Sequence, residues 1–435
     1  MSTNEKISAA LDKIQTDDNI ASVCRKYYHN LKDKEVISKL LFEERIGIAH
    51  EIIAEAKERD VYFYRRAIDE YSSPCELPTG VSHNATINLA SNDYLGFTKH
   101  PSIINAGINA IEKFGTGSGS VPMLVGTTLL HKELEARLAN FTGYDSALTY
   151  SSCYAGNYGL LTTLLTSSDV AILDTLVHAS IIDGCCNTNK IFFQHNDPCS
   201  LKLALLKASS YKNKLVIVDG VYSMDGDIAL LDEIIQAAKD NNAWLMVDES
   251  HAIGVIGNNG KGTHSHYSME TKADIISCSL GKAMGGIGGF IAGTSELISF
   301  LELTSRPFIF STSLPQNVAV QLVEAIRLLQ SDDSIIKKLW KNINYFKNGI
   351  EEIGFNTQQS ESAIIPLIIP DEAKLLHFCQ ALHNDGVFVN PIFFPVVPRR
   401  KSRIRISVTA SLTKDELDFA LYSIEHASHE TGLIK

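Results

Sequence analysis

Residues 277–293 read SCSLGKAMGGIGGFIAG and set a single lysine, Lys282, between the end of one short apolar run and the start of another. Both runs, ADIISCSL before the lysine and GFIAG after it, are bounded by polar residues or glycine, which predicts two strands. Five glycines lie between positions 281 and 289, where they allow backbone to turn tightly and to approach another group closely. Alone, a lysine among glycines is an ordinary solvated side chain. Because holding it in one place costs about 1.5–2 kcal/mol of rotamer freedom, a fixed lysine at such a turn needs a chemical reason, and its neighbours have to supply one.

The strand pattern continues outward in SALTYSS, DVAILD, KLVIVDG and AWLMVDES, which alternate with helical stretches and end in Asp, Ser or Gly. Runs of this kind predict strands buried on both faces of a mainly parallel sheet, an α/β fold. In such sheets ligands bind beyond the carboxyl ends of the strands. Asp219 after LVIV, Asp248 after WLMV and Lys282 all fall there. From about residue 326 the chain turns helical in VAVQLVEAIRLLQ and IIKKLWKNINYFKNGIEEIG, then gives AIIPLIIP, a helix to about Asp385, and RIRISVTA. This predicts a smaller α+β domain at 326–435 behind a large domain at 86–325. Upstream, residues 36–59 space Phe42, Ile46, Ala49, Ile53 and Ala56 along one face of a helix that packs on its own domain or on a partner subunit. The Pro- and Gly-containing YSSPCELPTGVSH reads as a connector, so 1–85 form a helical segment apart.

Bulk properties exclude several classes. At 435 residues, with 45% hydrophobic content, the chain can bury a large core. A net charge of −11 argues against nucleic acid as a partner. No apolar run reaches membrane-spanning length and the polar N-terminus MSTNEKISAALDKIQTDDNI lacks a signal-peptide pattern, so a cytoplasmic protein without a membrane span is expected. Eight scattered cysteines without a CxxC pair predict reduced, mostly buried thiols, with neither a disulfide framework nor a metal site.

Asp248 opens DESHAIG, which also holds His251, and Lys282 follows 34 residues later. A lysine amine, a carboxylate and an imidazole on neighbouring strand ends suit an aromatic aldehyde cofactor: the amine forms a Schiff base and the carboxylate pairs with a pyridinium nitrogen. Ser277, Ser279 and the glycines leave room for a phosphate, and SSCYAGN, residues 151–157, reads as a second phosphate turn before a helix.

These segments, with SNDYLGF, HKELEARLANFTG, HASIIDG, HND, DGVYSMDGDIALL, VDESHAIGVIGNNGKG, RPFIFSTSLP and RIRISVTA in that order, resemble the α-oxoamine synthases. That family has the fold of type I pyridoxal-phosphate transferases, and the resemblance covers roughly four-fifths of the chain. It implies a mainly parallel seven-stranded sheet, pyridoxal 5'-phosphate as cofactor, Lys282 as the Schiff-base lysine, Asp248 at the pyridine nitrogen, His251 at the phenolic oxygen and His178 stacked on the ring. It further implies Cys153, Tyr154 and Ser279 on the phosphate side, Ser223 beside the ring, and Asn92 as a substrate contact. Ser311 or Thr312 would reach the phosphate bound by the other subunit of a homodimer. Arg403 is expected to hold the substrate carboxylate, with Arg405 on the opposite side of the strand. The implied reaction joins an α-amino acid to an acyl thioester of coenzyme A or an acyl carrier protein, with loss of CO2 and free thiol, to give an α-aminoketone.

Val177, Asp219, Leu412 and Pro122 depart from residues common in the family, and PRRKSR replaces its glycine-containing loop. Arg399, Arg400 and Lys401 there form a solvated basic loop or contact carrier phosphates. An aminotransferase on the same fold, and a non-catalytic scaffold subunit, stay open as alternatives.

Overall fold

The computed structural model describes residue 38, residues 41–58, scattered positions between 62 and 74, and residues 87–434 apart from 269, 270 and 395. Seven strands form the main sheet: β1 (Ser146–Tyr150), β2 (Val170–Asp174), β3 (Asn189–Phe193), β4 (Lys214–Asp219), β5 (Trp244–Asp248), β6 (Ile275–Ser279) and β7 (Gly289–Gly293). Their order is β1-β7-β6-β5-β4-β2-β3. β7 runs antiparallel to both β1 and β6, and the remaining neighbours are parallel.

Each apolar run picked out in the sequence becomes one of these strands. In β2 every residue is buried, as a strand covered on both faces requires. β3, which the apolar pattern missed, is an edge strand: Asn189, Lys190 and Phe192 are exposed, and a lysine on an edge blocks further pairing.

Pairing puts Asp219 opposite Asp248, and Asp248 opposite Ser277, so the carboxyl ends of β4, β5 and β6 lie in line. Two helices deliver their N-termini to the site: α2 (Cys153–Leu164), capped by Ser152, and α3 (Ala179–Gly184), capped by His178.

The C-terminal part pairs β8 (Ile364–Ile368), β9 (Pro391–Ile392) and β10 (Arg403–Ser407) in the antiparallel order β8-β10-β9. Helices Ser334–Ile353, Glu372–Asn384 and Lys414–Glu430 accompany that sheet. The expected division at 325 falls inside one continuous helix, Gln316–Ser331, and the one near 85 lies outside the described residues. Ile87–Asn88 pairs in parallel with Val387–Phe388, which ties the start of the expected large domain to the C-terminal part.

The upstream helix, α1, is described over Phe42–Glu58; of the rest of its predicted span only residues 38 and 41 belong to the described set. Ala56 is buried, whereas Phe42 and Ile46 are 74% and 69% exposed, so the described residues cover only part of the helix's apolar face. Among the described cysteines none is paired; Cys185, Cys278 and Cys379 are buried, and Cys186 and Cys199 are exposed. Among the described residues no helix is long and apolar enough to cross a membrane.

Candidate active site

A cavity of about 260 Å³ opens beyond the ends of β4, β5 and β6, and Asp219, Asp248, His251, His178 and Lys282 all line it. The loop from Leu280 to Gly288 carries Lys282 into it. Gly288, at φ 105°, occupies backbone space that favours glycine, and a Cβ there would lie 2.8 Å from the carbonyl oxygen of Tyr150. At Gly289 a Cβ would lie 2.4 Å from the backbone nitrogen of Cys153, so glycine lets the first turn of α2 close over the lysine loop.

Lys282 Nζ lies 2.9 Å from His251 Nε2, and His251 Nδ1 lies 2.7 Å from the Tyr94 hydroxyl. Burial lowers the basicity of Lys282, opposed by the charge of Asp248. His251 is held well below the ordinary histidine value, first by burial and then by the Lys282 and Arg405 charges. It is therefore neutral at pH 7, with one ring nitrogen donating and one accepting.

Asp248 is buried and made to stay in place. Asn157 Nδ2 donates to its Oδ2 at 2.8 Å, and the Ser250 backbone N–H donates to its Oδ1 at 3.0 Å. The adjacent Asp219 accepts from the His178 N–H at 3.3 Å. Burial, reinforced by the Asp248 charge, pushes the Asp219 carboxyl well above the usual carboxylate range.

His178 is anchored through Nδ1 to Ser180 Oγ at 2.7 Å, and burial lowers its basicity. Cys153 and Ser279 line the cavity. Burial pushes the Cys153 thiol far up, so it is no nucleophile here. Tyr154 lines the cavity too, with its hydroxyl on Asp183.

The structure corrects two expectations. Residues two apart on a strand share a face, and Arg403 and Arg405 do, because both guanidinium groups reach the segment after β4. Arg403 is 2% exposed and is spent on Asp225, at 2.8 Å, and on the Met224 carbonyl, at 2.9 Å. Arg405 is the arginine joined to the lysine site: Nη1 donates to Asn92 Oδ1 at 3.0 Å and Nη2 to the Tyr94 hydroxyl at 3.1 Å. Ser223 does not line the cavity. Its carbonyl accepts from Arg405 Nε, and Val221 takes the lining position.

Thr312 lies elsewhere, with Ser311 and Ser313 on a second, smaller cavity beside Thr149 and Ser151. Sequence reasoning missed Tyr94, Asn157 and Arg405. Their signals were faint: a tyrosine inside SNDYLGF, an asparagine one helical turn past SSC, and the second arginine of RIR.

Comparison with known proteins agrees with this geometry. The family model "aminotransferase class I and II" matches residues 84–424. An 8-amino-7-oxononanoate synthase of Thermoanaerobacter pseudethanolicus is 40% identical over 387 residues, which cover 88% of this chain and 97% of that protein. One from Bacillus subtilis is 42% identical over 356 residues, 81% of this chain and 91% of that protein. A solved serine palmitoyltransferase variant from S. paucimobilis, with a bound PLP–myriocin aldimine, superposes with a TM-score of 0.85 at 32% identity, covering 91% of this chain and 100% of that one. The chain belongs to the α-oxoamine synthases.

An α-oxoamine synthase is an acyltransferase that works with pyridoxal phosphate, and the residues present fit that cofactor. Lys282 supplies an amine of lowered basicity, Asp248 an anchored carboxylate, and Ser279 with the N-terminus of α2 a polar, positive end for phosphate, all on one cavity. The aminotransferase and scaffold alternatives lose ground to the synthase activity of these relatives.

Proposed function

We propose that this α-oxoamine synthase condenses an α-amino acid with an acyl thioester in the manner of the 8-amino-7-oxononanoate synthases. When bound, pyridoxal phosphate supplies an electrophilic aldehyde and a ring that draws electrons from the substrate's α-carbon. The observation that carries the reading is the meeting of Lys282, Asp248 and His251 on one cavity, with Arg405 two hydrogen bonds from His251.

Each side chain then has a task. Asp248, fixed by Asn157, would hold its carboxylate at the ring nitrogen. Arg405 and Asn92 take the amino-acid carboxylate, for which a planar two-donor fork is suited. Lys282, once free, takes the α-proton; its lowered basicity brings it nearer the working pH. His251 would orient the ring through Nε2, where Lys282 now sits, and His178 would lie against its face. Carbon–carbon bond formation expels the thiol, loss of CO2 follows, and a proton returns to the α-carbon.

A homodimer with shared sites fits the surface. Met123, Leu124, Val125 and Leu129, in the segment bordering the second cavity, are 69%, 74%, 76% and 88% exposed, and Phe310 nearby is 68% exposed. A second copy covering them would bring Thr312 toward its neighbour's phosphate site.

The test is direct. Purified protein loaded with pyridoxal phosphate is screened against amino acids for a change in cofactor absorbance, then against acyl thioesters for thiol release. Amino-acid-dependent thiol release is expected. Amino transfer to a keto acid without thiol release would replace the reading with an aminotransferase.

A further inference from the structure

The carboxylate arginine and the lysine are joined by one unbroken chain of hydrogen bonds. Arg405 donates Nη1 to Asn92 Oδ1 and Nη2 to the Tyr94 oxygen, at 3.0 and 3.1 Å. The Tyr94 hydroxyl is 3.3 Å from Asn92 Oδ1 and 2.7 Å from His251 Nδ1, and His251 Nε2 is 2.9 Å from Lys282 Nζ. Tyr94 is 1% exposed and burial keeps its hydroxyl protonated, so this one group has to satisfy both neighbours without help from solvent.

We infer that Tyr94 is a positioning residue that passes the presence of a carboxylate on Arg405 to the Lys282 amine by way of His251. The inference rests on the proposed role of Arg405. With no carboxylate bound, Arg405 donates to the Tyr94 oxygen, which weakens that oxygen as an acceptor and favours Tyr94 donating to His251 Nδ1. Nε2 then carries the imidazole proton and points it at Lys282, which suits an unprotonated amine. A carboxylate draws the guanidinium fork off Asn92 and Tyr94. Tyr94 can then donate to Asn92 and accept from His251 Nδ1–H, leaving Nε2 bare as an acceptor, so Lys282 holds its proton more firmly. Neutralising the Arg405 charge acts with the same sign. The other charged or titratable groups facing Lys282 are Asp248, Asp219, His178, Cys153 and Cys278, and His178 also faces His251; none of them bonds Arg405 or Tyr94.

The test titrates the absorbance of the full-length holoenzyme against pH with and without acetate, a carboxylate that lacks an amino group. Acetate is expected to raise the wild-type midpoint by about half a pH unit or more. In Tyr94→Phe the displacement should fall to less than half of that, while acetate still competes with the amino acid. An equal displacement in Tyr94→Phe overturns the inference. A second measurement needs no substitution: in the wild-type full chain stripped of cofactor, the ¹⁵N resonances of His251 should move with acetate, and an unresponsive ring overturns it as well. If acetate competes but moves no midpoint, this inference alone fails. If acetate does not compete and Arg405→Lys leaves the amino-acid KM unchanged, the role of Arg405 fails first and the inference with it.

Discussion

Arg403 and Arg405 share a strand face and differ only in what meets them, so their substitutions separate cleanly. Arg405→Lys exchanges a planar fork for a point charge and should raise the amino-acid KM about tenfold or more, the value of a charged hydrogen bond of roughly 1.5–3 kcal/mol. Steady-state kinetics with the amino acid varied would check this. Arg403→Ala strands Asp225 instead, and should lower stability by about 3 kcal/mol, the low end for a broken buried pair because Asp225 is 27% exposed. Thermal unfolding reads that loss, and an unchanged Tm with a raised KM would reverse the two assignments. Asp248→Asn removes the charge that Asn157 and Ser250 anchor, and kcat should drop by at least hundreds-fold, about 3–5 kcal/mol at the transition state. Lys282, Asp248 and His251 were legible in the sequence because each follows a strand whose apolar run is unmistakable. The choice between two arginines was not, because strand alternation puts both on one face and only the Asp225 contact decides which is occupied.

At the scale of elements, the loop after β4 matters most, since Val221 lines the cavity and Ser223 holds Arg405. A cluster outside the cavity pins that loop. His195 sits between Asp174, at 3.2 Å, and Asp227, at 3.0 Å, with the Tyr222 ring edge-on at 4.3 Å. Burial works against its charge, but the hydrogen bonds and charges of Asp174 and Asp227 prevail and lift it to about 10. A histidine raised above its unfolded value of about 6.5 stabilises the fold fully below that value, and the contribution fades as pH rises toward 10. His195→Gln should therefore unfold at a lower temperature than wild type at pH 6–7, and the gap should narrow toward pH 10. A gap that stays constant or widens with pH would remove the imidazolium from the account. The sheet itself was readable from buried apolar runs, whereas β3 was not, because exposed Asn189, Lys190 and Phe192 break its pattern. The HND segment was visible only as a resemblance; its partners lie 21 and 32 residues away along the chain and meet only in the fold.

At the scale of the whole molecule, the proposed function rests on one covalent anchor and on sites shared between two copies. If Thr312 serves its neighbour's site, Thr312→Glu should cost activity by repelling phosphate, and mixing those subunits with inactive Lys282→Ala subunits should restore some of it. Each hybrid would hold one site with both native residues, and no recovery on mixing would confine Thr312 to its own chain. The exposed apolar surface could not be read from the sequence alone, because an apolar side chain such as Leu129 looks like a core residue until the fold leaves it 88% bare. The central claim is that Lys282, facing Asp248 across one cavity, is where pyridoxal phosphate attaches. Borohydride reduction of the holoenzyme, followed by peptide mapping, tests it most directly: the pyridoxyl group should be found on Lys282 and be absent from Lys282→Ala, and its recovery on any other lysine would contradict the account.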